Sequence, residues 1–377
     1  EDLAELDERI EAHLDGLRIA GEEGWSAAKE QLQWNEAGEI FAGTALALAM
    51  TDPAPFEEMR RLGTSEPELL RGFISAFGWV PYKKADLSIQ KLLRSDNPAD
   101  RHAGIAASAI HRHDPGEALE KALTDSDSAL RARALQAVGE LGRLDLLDRI
   151  RPALSDSDDA CRFAAAWAAS LHREEPEAID VLKSFADASG PFTRQAASIW
   201  LRRAKVSEAN QWREALPEDR ALLSIISAGI LGDPKAIPWL IHSMNRPELA
   251  RRAGESLSLI TGIDLEDLKL EVEAPEGFES GPTENPEEED VSLDPDSDLP
   301  WPDAKKISTW WGRNSNSFPE GGRHLLGKPI SPETVREILK TGKQRARAYA
   351  AVELVMQEPG KTLFEVRAPG YHQGSGI

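Results

Sequence analysis

Two short stretches hold residue types that can do chemistry. His111-Arg112-His113-Asp114 sets two imidazoles and a carboxylate close together, donors that zinc accepts. A zinc site takes three or four ligands, and no further Cys or His cluster lies near this one in the sequence. We read it as a solvated turn between helices. Cys161 is the only cysteine, and Arg162 beside it would favour the thiolate. A cysteine nucleophile also needs a base and a group to orient that base. The sequence identifies neither, so Cys161 reads as a packed thiol. No His-Glu-x-x-His helix and no phosphate-binding glycine loop occurs. The expectation is therefore a non-enzyme, with no catalytic residue, no cofactor and no metal.

Arg162 itself belongs to a series. Arg71, Arg101, Arg131 and Arg162 are spaced 30, 30 and 31 residues apart, Arg194 follows after 32, and looser matches fall at Arg220 and Arg251. Apolar residues follow each arginine at helical spacing, as in Ala134, Ala137, Val138 and Leu141. Polar turns precede the clearest copies, Asp125-Ser-Asp127 and Asp156-Ser-Asp158. Such Asp and Ser side chains accept the orphan N–H groups that open a helix. Each unit thus reads as helix, turn, helix, and a fixed period of this length predicts stacked units rather than one globular core. Residues 1–20 read as an amphipathic helix with Leu3, Leu6, Ile10, Leu14 and Leu17 on one stripe.

The charge is uneven. The 377 residues carry a net −21. Residues 271–300 hold 12 acidic residues, no Lys or Arg, and five prolines, which predicts a disordered or extended acidic linker. Residues 301–377 hold 7 acidic and 12 basic residues, a net +5, and residues 1–270 are left with −14. An acidic balance of −14 over residues 1–270 argues against nucleic acid as a direct ligand, since phosphate binding needs clustered Lys and Arg. No apolar run approaches the roughly 20 residues of a membrane span. The opening Glu-Asp-Leu-Ala shows no signal-peptide pattern, and a single cysteine allows no intrachain disulfide. Both point to a cytoplasmic protein.

The expected organisation is N-terminal capping helices over 1–54, repeats over 55–270, the acidic Pro-rich linker over 271–300, and a helical segment over 301–377 that docks on the repeats. Ser331-Pro332-Glu333 starts one helix of that segment, and Gln344 to Gln357 forms another. Trp310-Trp311 reads as its anchor, and Thr362 to Arg367 as a short extended piece.

The Asp-x5-Arg spacing, Asp125 to Arg131 and Asp156 to Arg162, resembles the HEAT repeat in the short variant also found in phycobilin lyases. That resemblance implies an all-α solenoid, a right-handed superhelix of helical pairs. It also implies a ladder between neighbouring repeats, here Asp125, Arg131, Asp156, Arg162 and Arg194. A second resemblance rests on the ends of the chain: His13 to Trp25, Leu299-Pro-Trp-Pro-Asp303, Leu326-Gly-Lys-Pro-Ile330 and Phe364 to Pro369. These blocks look like a proteobacterial family of HEAT-like proteins whose genes often sit in type VI secretion clusters. The resemblance implies a setting among secretion toxins and their immunity proteins, and with the acidic charge it leads to the expectation of an immunity protein that neutralises a basic toxin, a nuclease, by direct binding. The alternative is an adaptor that loads a toxin effector onto the secretion spike.

Partner-binding residues are sought where copies differ. Trp167 aligns with Gln136, a position nearly opposite the Ala134, Ala137, Leu141 stripe. An aromatic there would face a groove as a binding anchor. The candidates are Gln136, Arg143, Trp167, Glu174 and Ile199. Trp200 falls in core register.

Overall fold

The computed structural model of the chain describes residues 2–278 and 294–373. The chain is an all-α helical-repeat solenoid, and the described residues include only two pairs of two-residue strands. It comprises two compact units, Glu1–Leu182 with Val355–Ile377, and Lys183–Leu354.

In the first unit the polar turns open helices. The Asp127 carboxylate accepts the Leu130 N–H at 2.9 Å, and Asp158 accepts that of Cys161 at 3.0 Å. Helices Ser128–Leu141 and Asp159–His172 follow. Pro53, Pro67 and Pro98 open three earlier helices, where their missing N–H costs nothing. Helices Pro98–Ile110, Ser128–Leu141 and Asp159–His172 pack side by side. Alanines line their contacts: Ala103, Ala107, Ala134, Ala137, Ala165 and Ala168 are fully buried. Small side chains let the helix axes approach, and Ile105, Leu119 and Leu130 fill the space behind. The helix Asp2–Ala20 forms, but only part of its apolar stripe is covered. Leu14 is buried, whereas Leu6 is half exposed.

The second unit has its core in Ile225, Ile237, Leu240, Leu257 and Ile260, from helices Ala221–Leu231, Ile237–Ser243 and Pro247–Thr261. Helix Ala304–Asn314 lays Ile307 into this core, with Trp310 and Trp311 packed beside it. Trp200 is buried against Trp212, ring centroids 5.1 Å apart.

The centre of the acidic stretch, 279–293, lies outside the described residues. Its flanks are ordered. Glu271–Val272 pairs antiparallel with Trp301–Pro302. Arg251 donates to the Asp294 carboxylate at 2.5 Å and to the Asp296 carbonyl at 2.7 Å, and its guanidinium lies 4.9 Å from the Trp301 ring. Arg345 reaches Asp298 at 2.7 Å. Fixed counter-charges hold these carboxylates, which overcomes the chain entropy and self-repulsion that predicted disorder.

A further regularity involves helix ends. The last turn of a helix leaves carbonyls without partners. In the first unit the segment after Gln357 crosses such ends. Leu363 donates to the Glu140 carbonyl at 2.8 Å, and Glu365 accepts from Arg112 at 3.3 Å. Gly142, at φ +67°, passes so close to this segment that a Cβ would sit 2.5 Å from the Gly360 oxygen. Gly370 then donates to Asp7 at 2.5 Å, reaching the first helix. The second unit repeats the device with residues 323–327. His324 donates to the Gly232 carbonyl at 2.9 Å, and Leu326 and Gly327 donate to Leu259 and Ile260 at 2.6 and 3.0 Å. The buried Glu353 takes Arg202 at 2.8 Å and also pairs with Arg323. The covered positions Arg112, Gly142 and His172 in one unit, and Arg202, Gly232 and Gly262 in the other, fall at intervals of 30 residues. The period seen in the turns therefore also marks the helix ends.

Candidate binding surface and cavity

The repeat arginines are held within the repeats. Arg101 donates to Asp125 at 2.9 Å, and Arg131 reaches both oxygens of Asp156 at 3.0 and 3.2 Å. Each arginine also returns to its own turn: Arg131 to the Asp125 carbonyl and Arg162 to the Asp156 carbonyl, both at 2.7 Å. The Arg131 guanidinium, then the Asp158 backbone N–H, hold the Asp156 carboxyl below its usual range. For Asp125 the Asp127 N–H is the larger cause and Arg101 the next. Arg162 takes Asp159 of its own helix as carboxylate partner. Arg194 is exposed and holds no ion pair among the described residues. The turn before it, Ala188-Ser-Gly-Pro-Phe192, lacks the aspartate of the better copies.

The candidates for partner contact are scattered. Gln136 is half-buried and donates to Glu140 at 2.8 Å. Trp167 is half-buried too, and its ring lies over Gly139 of the preceding helix, where an added Cβ would come within 2.8 Å of Cζ3. Arg143 is enclosed by Asp145 at 2.7 Å, Asp114 at 2.6 Å and Glu120 at 3.5 Å, which raise its pKa further. Glu174 is exposed. Ile199 is only 1% exposed and belongs to the core, so it offers nothing to a partner. The helical period that puts Trp200 inside also turns its neighbour inward, because this helix is covered on more than one side.

His111 and His113 have separate duties. The His111 ring meets the Phe77 carbonyl at 2.8 Å, and His113 stacks on Tyr82 at 3.6 Å. Asp114 accepts from Gly116 and Arg143. The turn is thus packed rather than simply solvated. Among the described residues no group of three metal-binding side chains occurs. Cys161 is buried, its Sγ 3.3 Å from the Ser128 carbonyl, and burial pushes its thiol up to about 12.

One cavity of about 740 Å³ opens in the first unit. Its walls include His102, Arg133, Gln136 and Glu140 from the repeats, Phe41 and Trp79 from earlier helices, and Glu365, Arg367, Ala368 and Pro369 from the C-terminal segment. Arg133 and Glu140 pair directly. His102 is driven down to about 4, first by burial and then by the Arg133 charge, and is neutral near pH 7. Of these residues the sequence marks only Gln136 as a candidate for partner contact. The Arg133 to Glu140 spacing of seven is a helix-face signal present in the sequence, whereas the docking of Glu365 has no local signal.

HEAT repeats match the chain over residues 116–202. These residues contain the two clearest Asp-x5-Arg copies. Among curated proteins none matches the chain.

Proposed function

We propose that this protein is a non-catalytic scaffold that binds another protein. The observation that carries the reading is the run of HEAT repeats over 116–202, an architecture that presents long surfaces to macromolecules. The net charge of −21 favours a basic partner and speeds its approach. Exposed carboxylates on the first two helices, Glu5, Glu8, Asp15, Glu22 and Glu23, give that charge a surface.

The partner we propose is a basic toxin of the type VI secretion kind, a nuclease whose substrate face must be positive. The chain acts as its immunity protein by covering that face. The support for this finer reading is the likeness of the end blocks together with the charge. Co-expression tests it. A toxin encoded beside this gene should co-purify with the chain and lose activity in its presence. Failure of every such neighbour to bind or to be inhibited ends the immunity reading. Deletion that blocks toxin export and leaves the cell unharmed replaces it with the adaptor role.

A further inference from the structure

The cavity of the first unit has a charge opposite to that of the chain. Arg71, Arg133 and Arg367 line it against the two carboxylates of Glu140 and Glu365, with His102 neutral between them. Arg112 adds a fourth guanidinium behind Glu365. Positive charge is therefore in excess at this place in a protein of net −21.

Some of that charge is unsatisfied. Arg133 gives one nitrogen to Glu140, but its Nη1 is buried and has no acceptor among the described residues. The Arg133 side chain is 11% exposed, so bulk water does not replace that acceptor. Leaving a buried charged donor unpaired costs free energy that an incoming oxyanion would recover. Arg71 is exposed at the cavity mouth and likewise makes no ion pair among the described residues.

The cavity also has an aromatic lining. Phe41 and Trp79 meet edge to face, 5.6 Å apart at 90°. The Trp79 Nε1–H donates to Glu11 at 2.5 Å, which fixes the indole plane. Pro369 closes the same space from the C-terminal segment. A cavity of about 740 Å³, lined by both guanidinium groups and aromatic carbon, is of the size that takes small organic ligands.

We infer that this cavity binds a small organic anion, its carboxylate or phosphate group on Arg133 and Arg71 and its flat apolar part against Phe41 and Trp79. The site goes beyond the scaffold reading and does not depend on it. The C-terminal segment supplies one wall, so occupancy also favours the docked segment.

Calorimetric titration of the full chain tests this with three probes at matched ionic strength: phenylacetate, phenyl phosphate and inorganic phosphate. One of the two aromatic anions should bind at one site per chain, and which one does so identifies the oxyanion. Inorganic phosphate should bind more weakly, since it leaves the aromatic wall empty. Arg133→Gln should weaken the aromatic anion roughly tenfold or more, the size of a lost hydrogen bond to a charged group. Arg71→Gln alters an exposed side chain, leaves the fold intact, and should weaken binding in the same direction. The inference is overturned if neither aromatic anion binds below about 10 mM. It is equally overturned if both substitutions leave binding unchanged, or if inorganic phosphate binds as well as the better aromatic anion.

Discussion

His172 joins two stretches of chain that are 188 residues apart. Its Nδ1 accepts the backbone N–H of Gly360 at 3.2 Å, while Nε2 meets the Gly139 carbonyl at 2.8 Å. The geometry requires a neutral ring with its proton on Nε2, donating to Gly139. One buried imidazole thus ties a helix end to its neighbour and to the segment that covers both.

That covering segment makes Gly142 sensitive in a way Gly116 is not. Both have positive φ, +67° and +60°, but only at Gly142 would an added Cβ meet backbone atoms within 4 Å. Gly116 lies at ψ −128°, outside the left-handed helical region, so Gly116→Ala should lose about 1–3 kcal/mol from backbone strain alone. Gly142, at ψ +31°, sits in the left-handed helical region, where strain alone costs about 1 kcal/mol, and the collision with Gly360 should bring the loss of Gly142→Ala to about 2 kcal/mol or more. Urea melts of the two variants compare them directly. A Gly142→Ala loss no larger than about 1 kcal/mol would mean the segment does not press on Gly142.

The ladder should contribute little per rung. Arg131 and Asp156 are 17% and 15% exposed, so water still screens the pair. A double-mutant cycle with alanine at both positions should give a coupling of about 0.5–1 kcal/mol. Asp100 is different: its side chain is 1% exposed and accepts from Arg60 and Ser95, each at 2.7 Å. Asp100→Ala leaves those donors unpaired and should cost about 3 kcal/mol. The reverse ranking would show the exposed rungs to be the stronger ones.

Stability should fall as pH drops from about 6.5 towards 4. The folded state holds His102 down to about 4, first by burial and then by Arg133, with Asp127 opposing. Between those values the unfolded chain binds a proton the folded one refuses, so acid favours unfolding, by up to about 3 kcal/mol. Above pH 6.5 both states are neutral at this residue and its contribution is flat. Thermal melts across the window should show the slope in the natural chain and a shallower one in His102→Gln. Identical slopes would remove His102 as the cause.

Cys161 should be inert in the folded protein. With its thiol pushed up to about 12 and no exposed surface, almost none is thiolate at pH 8. Iodoacetamide should label it only after denaturation. Labelling of the native chain at the rate of a free thiol would place Cys161 outside the core.

The repeats are legible in the sequence because their physics is local. Asp127 and Asp158 cap helices three residues away, and the alanine faces recur with the helical turn. Arg131 to Asp156 spans 25 residues, still within one period. The cavity is not legible, because its walls come from residues as distant as Phe41 and Pro369, which no period connects. Ile199 shows the opposite error. Its position follows the helical turn, but its burial depends on what covers the helix. The acidic flanks show a third. Asp294 and Asp296 share the composition of a solvated tether, yet Arg251 and Arg252 hold them in place.

The distance from His172 to Gly360 is also an interval of time. A ribosome adding roughly 5–20 residues per second needs on the order of 10–40 s to make the intervening chain. For that period the ends of helices Ser128–Leu141 and Asp159–His172 have emerged without the residues that later donate to Glu140 and His172. During synthesis the newborn repeats therefore stand with the Glu140 carbonyl and the His172 ring uncovered, and the residues that seal them, Leu363 and Gly360, are translated later.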